Sequence, residues 1–99
     1  MAQAITLARP YARAAFEVAQ GAGTQDAWSQ ALAFAAAVAA DPQVAALAGD
    51  PRVTGAQLVA LHLPSGVAAD APFAQFLGEM AEQRRLGLLP EVMSQVAGG

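Results

Sequence analysis

Apolar residues recur at three- and four-residue intervals along almost the whole chain, and strand-type alternation is absent. That pattern confines the fold to helices. The chain is 56% hydrophobic and only 13% charged, and alanine supplies much of the hydrophobic share. Alanine has the highest helix propensity and little volume, so the interior should be built from helices in close approach. Prolines and glycines divide the pattern. A first helix is expected from about Ala4 to Gln20, bent or re-started at Pro10, and ended by Gly21–Gly23. Thr24 should cap a second, which runs to about Ala40 with Trp28, Leu32, Ala35 and Val38 on overlapping turns. Asp41 and Pro42 break it, and Asp41 can cap a third from Gln43 to Ala48. After the turn Gly49–Arg52, Thr54 caps a fourth through Leu61. Asp70 and Pro72 open a fifth that reaches about Arg85. Gly87 interrupts, and Pro90 opens or kinks a sixth. Arg84, Arg85 and Leu86 should set the junction between the last two. The expected fold is all-α, a compact bundle of about six short helices forming one domain over residues 1–99.

Charge and composition exclude several functions. Lys and Arg number five against eight acids, and the net charge is −3. A nucleic-acid surface needs clustered cations, and so does docking on anionic lipid; neither is expected. The longest apolar run, Ala31–Ala40, has about ten residues, whereas a bilayer span needs about 20. No direct membrane insertion and no signal peptide are expected, and the domain should be monomeric. Without cysteine there are no disulfides or thiolate ligands.

No chemistry is evident either. His62 is the only histidine, near a helix end, where a structural or a solvent-facing role fits. Ser65 lacks the glycine pattern of a nucleophile elbow. Asp41, Asp50, Asp70, Glu79 and Glu82 are dispersed, and capping and solvation account for them. Glu79 and Glu82 lack the histidine partners of a helical metal site. Gly21–Gly23 has no lysine to complete a phosphate loop. The reading is a non-enzyme with no cofactor and no metal.

The first helix poses the functional question. On a helical wheel, Thr6, Arg9, Arg13, Glu17 and Gln20 form a polar side. The apolar remainder covers roughly 200°, twice the stripe of about 100° that a surface helix typically buries. One flank carries Ile5, Ala12, Phe16 and Ala19; the other carries Leu7, Tyr11, Ala14 and Val18; Ala4, Ala8 and Ala15 lie between. Phe16 has no polar atom, so Ile5, Ala12 and Phe16 are expected in the core. Tyr11 has a hydroxyl suited to a wet edge, and Ala14 permits close approach of another helix. So wide an arc fits a central first helix touched from several sides; it also fits a helix with one flank open to a partner, and then the flank Leu7, Tyr11, Ala14 and Val18 is the candidate face.

The stretch "ARPYARAAFEVA", Ala8–Ala19, resembles the N-terminal signature of the delta subunit of rotary ATP synthases, whose mitochondrial relative is the oligomycin-sensitivity-conferring protein. "MAEQRRLGLLPEVM", Met80–Met93, resembles a second motif of that family. A Trp-bearing second helix, "LAFAAAVAADPQV" and helix breaks at matching places lie between, so the resemblance covers the whole chain. It implies the six-helix N-terminal domain of a stator subunit, without the C-terminal part that meets the b subunit of the peripheral stalk. It implies a peripheral place in the ATP synthase complex, on the cytoplasmic side of the bacterial inner membrane.

The resemblance also implies a partner. The N-terminal segment of an alpha subunit would lie as an amphipathic helix in an apolar groove between the first and fifth helices. On the fifth helix this makes Phe76 and Met80 the expected floor, and Glu79 and Gln83 the expected rim. The other reading is a small helical protein–protein adaptor of a different family; a DNA-binding bundle would need a basic recognition helix that the chain lacks.

Overall fold

A computed structural model describes residues 2–98, and every described element is a helix. They are α1 (Ala2–Ala22), α2 (Gln25–Ala39), α3 (Pro42–Ala48), α4 (Gly55–His62), α5 (Pro72–Glu82) and α6 (Leu89–Gly98), with a single 3-10 turn at Leu86–Leu88 before α6. The expected six-helix, all-α architecture is what forms. The radius of gyration, 12.4 Å, matches the ~12.6 Å expected of a compact chain of this length. The thinnest dimension is 19 Å, room for about two helix layers. In so thin a body each helix has one covered side and open flanks.

Local chemistry explains most boundaries. Asp41 accepts from the Gln43 amide at 2.8 Å and starts α3 with Pro42 in its first turn. Thr54 opens α4 with a full capping box: its Oγ1 accepts from the Gln57 amide at 3.1 Å, and Gln57 accepts from the Thr54 amide at 2.9 Å. α2 and α3 meet at 85°. No single described helix is long and apolar enough to cross a membrane.

Three expectations need correction, and one alternative closes. Of a bent or a re-started first helix, the re-start does not occur: α1 is one helix of 21 residues with Pro10 inside. Thr24 sits at the N-cap of α2, but its φ of −117° and ψ of 33° give no side-chain cap bond. α5 is preceded by Ala71, not Asp70, at its N-cap; the Asp70 carbonyl instead accepts from Gln75 at 3.3 Å. α5 also stops at Glu82, short of Arg85, because Arg84 adopts a left-handed φ of 56°.

Two helices end by the same device. After α1, Gly23 has φ 68°, the Thr24 amide donates to the Ala19 carbonyl at 2.9 Å, and the Gly23 amide donates to Gln20 at 3.2 Å. After α5, the Arg85 amide donates to Met80 at 2.8 Å, and the Arg84 amide donates to Ala81 at 3.0 Å. This is the Schellman pattern, in which the left-handed residue is ordinarily glycine. Arg84 holds it at a steric cost of about 1–2 kcal/mol. Arg84 and Arg85 thus form the turn between α5 and the 3-10 segment, and Leu86 is buried beyond it.

The core side of α1 is a stripe of alanines, Ala8, Ala12, Ala15 and Ala19, all buried. Their spacing keeps them on one face, and α1 packs that face chiefly against α6 and α2. Leu32, Leu77, Met80, Leu89 and Val92 are the large, fully buried side chains that fill the interior. His62 joins them; its Nδ1 lies 2.7 Å from the Leu58 carbonyl, one turn back on α4. That is the structural role expected of it.

Candidate partner-binding surface

The alanine stripe decides what remains outside. Ile5 and Phe16 were expected in the core with Ala12, yet Ile5 is 46% and Phe16 41% exposed, and only Ala12 is buried. The reason is steric. The α1 backbone approaches its neighbours through alanine, and that closeness leaves no layer for a phenyl ring. Phe16 lies at the mouth of a shallow pocket shared with Trp28, Leu32 and Val96. The Ile5 carbonyl accepts from Gln95 of α6 at 2.9 Å. This flank therefore runs along α6.

The other flank of α1 meets α5 at Tyr11. Leu7 is 37% and Val18 44% exposed; Ala14 is exposed as well, and Tyr11 is half-buried. α1 and α5 are not among the closely packed helix pairs. They are joined through rings: Tyr11 meets Phe76 edge-on, with centroids 6.4 Å apart and planes at 80°. Phe76 is in turn part of an aromatic cluster, 5.6 Å from Trp28 and 6.2 Å from Phe73, while Trp28 and Phe73 are 5.2 Å apart. Edge-to-face pairs of this kind add ~0.5–1.5 kcal/mol each beyond area burial. They tie α5 to α2 and, through Tyr11, to α1.

The candidate residues divide by depth. On α5, Glu79 and Gln83 are exposed, Phe76 is buried beneath them, and Met80 is fully buried in the core. Met80 therefore offers no accessible surface as a groove floor. Four residues beyond Phe76 the helix has turned a further 40° inward, toward the side that packs on α4. Of the candidate residues, the structure brings Tyr11 and Phe76 together; Leu7, Ala14 and Val18 are exposed on α1 and Glu79 and Gln83 on α5, and Ala14 borders a surface recess with Arg9, Arg13 and Glu17.

Arg85 belongs with this set, although the sequence suggested only a junction role. Its guanidinium donates to the Tyr11 hydroxyl at 3.4 Å across a separation of 74 residues. The Schellman turn fixes the backbone of Arg85 and so aims the side chain at Tyr11. Nothing in the spacing of the two residues indicated the pairing.

Among the described residues there is no group of three or more His, Cys, Asp or Glu side chains able to hold a metal. The single ion pair between described residues, Arg52 with Asp50 at 3.0 Å, lies on the exposed α3–α4 turn.

The sequence comparisons concern this same whole domain. The family model for the ATP synthase delta (OSCP) subunit matches residues 7–98. A protein named ATP synthase subunit delta from Xanthomonas campestris pv. campestris is 53% identical over 92 residues, which cover 93% of this chain and 51% of the relative. Relatives of the same name from Xanthomonas oryzae pv. oryzae and Xanthomonas axonopodis pv. citri are 52% and 51% identical over the same share of each chain. The chain thus spans about half the length of the curated relatives it matches. With the match running from within α1 through α6, the chain belongs to the ATP synthase delta (OSCP) subunit family.

Proposed function

We propose that this domain is a stator contact of the rotary ATP synthase. It binds the N-terminal segment of an alpha subunit as an amphipathic helix and helps hold the catalytic head to the peripheral stalk. The observation that carries the reading is the exposure of Leu7, Ala14 and Val18 on the same α1 flank as Tyr11, which meets Phe76 of α5, in a member of this family. A second helix can lay its apolar face there, with Ala14 admitting close approach. Glu79 and Gln83 then form the polar rim on the α5 side. Contact with the b subunit would fall to the part of the relatives that this chain does not span. The complex would place the domain peripherally, on the cytoplasmic side of the inner membrane.

The role needs affinity and slow dissociation, and no bond is made or broken. Shaft rotation applies torque to the head, which must not turn with it. A helix face burying several hundred Å2 at ~25 cal/mol per Å2 gives a gross term on the order of 10 kcal/mol. Association entropy and the ordering of the partner helix remove much of that.

The test is a calorimetric titration of residues 1–99 with a synthetic alpha-subunit N-terminal peptide, alongside duplex DNA and nucleotide. Binding of the peptide alone is expected. Ala14→Asp should weaken it at least tenfold and leave the melting temperature nearly unchanged, since Ala14 is exposed in the free domain. Failure of the peptide to bind, or undiminished binding to Ala14→Asp, refutes the groove.

A further inference from the structure

We infer that Arg85 receives a carboxylate from the docked partner helix, beside Tyr11. This rests on docking at the Tyr11 flank of α1 and adds the charge that the partner must carry there.

Arg85 is held from both ends. Its amide donates to the Met80 carbonyl at 2.8 Å and closes the turn after α5. Its guanidinium donates through Nη1 to the Tyr11 hydroxyl at 3.4 Å. Both side chains are half-buried. The bond to Tyr11 is long, reaches a neutral oxygen and leaves most of the guanidinium donors unused. Nε and Nη2 have no hydrogen-bond partner among the described residues, where no fully buried side-chain nitrogen goes unpartnered. Those two nitrogens therefore open on the surface next to Tyr11.

The other cations differ. The chain has five in all. Arg52 pairs with Asp50, and Arg9, Arg13 and Arg84 are exposed, so solvent screens them. Arg85 is the one held half-buried with donors facing outward. The acids of α5, Glu79 and Glu82, are exposed, and neither pairs with it.

A helix laid against Tyr11 strips water from Nε and Nη2. Desolvating a cation without a counter-charge is unfavourable, and the domain supplies no counter-charge. A partner carboxylate replaces the lost water bonds and matches the planar fork of the guanidinium. Little rotamer freedom is lost in doing so, because the turn holds the Arg85 backbone and Tyr11 holds its side chain. A partner with an amide or a lysine at that place leaves the guanidinium unpaired, so Arg85 discriminates among amphipathic helices of equal apolar face.

The probes are a synthetic alpha-subunit N-terminal peptide and variants in which each of its acidic residues is replaced singly by the amide. Each is titrated calorimetrically into the wild-type domain, Arg85→Gln, Arg9→Gln and Arg13→Gln. At one acidic position the wild type should bind the parent about tenfold more tightly than the amide variant. Arg85→Gln should bring that ratio close to unity, while Arg9→Gln and Arg13→Gln should keep it. Both peptides meet the same domain, so any loss of stability in Arg85→Gln cancels from the ratio. If Arg85→Gln does not fold, the wild type decides: the Arg85 Nε–H resonance should shift further at saturation with the parent than with that amide variant, and equal shifts overturn the inference. A ratio that survives Arg85→Gln, or that Arg13→Gln removes as fully, also overturns it. Equal binding of the parent and every amide variant to wild type, with all lost in Ala14→Asp, overturns it while the docking site stands. If the parent does not bind wild type, docking at this flank and the Arg85 contact fall together.

Discussion

Replacing Ala8 by leucine should destabilise the domain, although it adds hydrophobic surface to a helix already rich in it. Ala8 is fully buried at the head of the α1 stripe, where the helix packs on α6 and α2. Leucine introduces three further carbons where the backbones meet through a methyl group. Forcing extra methylenes into a packed core costs typically 1–3 kcal/mol. That is a large part of the ~5–15 kcal/mol that holds a domain of this size together. At about 4–8 °C per kcal/mol, the melting temperature should fall by about 4–24 °C. Ala14→Leu is the matched control. It makes the same chemical change six residues on, at an exposed position, and should stay within ~0.5 kcal/mol of wild type. Thermal melts followed by far-UV circular dichroism, with urea titrations to confirm an unchanged m-value, decide the matter. A melting temperature for Ala8→Leu within about 2 °C of wild type would refute the close approach on which the exposure of both α1 flanks depends.

Other perturbations test separate parts of the argument. Phe16→Ala should cost only about 1–2 kcal/mol in urea denaturation, because the ring is 41% exposed and its loss leaves no sealed cavity; a loss of 4 kcal/mol or so would return it to the core. Arg84→Gly should raise stability by about 1 kcal/mol by relieving the positive φ of 56°, provided the guanidinium makes no offsetting contact; a destabilised variant would show that it does. Thr54→Ala removes one half of the α4 capping box and should lower stability by ~1 kcal/mol. Asp50 is held below its usual pKa of 3.8, first by the Arg52 side chain and then by the Arg52 amide. A depressed carboxylate stabilises the fold above its unfolded pKa and loses that contribution as the pH falls through its folded value. Asp50→Asn should therefore melt slightly below wild type at neutral pH, and the difference should vanish in acid below the ordinary carboxylate range. A difference independent of pH would exclude the ion pair as its origin.

Two local signals were carried by the sequence, although the equally local caps expected at Thr24 and Asp70 did not form. Asp41 before Pro42, and Thr54 three residues ahead of Gln57, specify helix starts through bonds made within one turn, and both form. The reading weakened wherever the outcome depended on what lay across the fold. α5 ends early because Arg84 takes a conformation usually left to glycine, and nothing in "EQRRLG" announces a left-handed arginine. The Arg85–Tyr11 bond joins residues from opposite ends of the chain, so no spacing rule reaches it.

The first helix holds the most general case. A wheel of roughly 200° shows that the apolar arc exceeds one stripe, but it cannot say which third of the arc faces inward. Ranking residues by hydrophobicity puts Ile5 and Phe16 inside and leaves alanine between them. Packing reverses the order. Alanines at positions 8, 12, 15 and 19 are small enough for neighbouring helices to pack closely, and the gain is spread along α1 from Ala8 to Ala19. A phenylalanine gains its burial at one point and would hold the helices apart everywhere else. A regular alanine stripe within a wide apolar arc is therefore the better marker of the inward face, and the large side chains beside it mark edges where another helix can lie. On α1 that rule puts Leu7 and Val18 at one edge, and it puts Ile5 and Phe16 at the other, which borders α6.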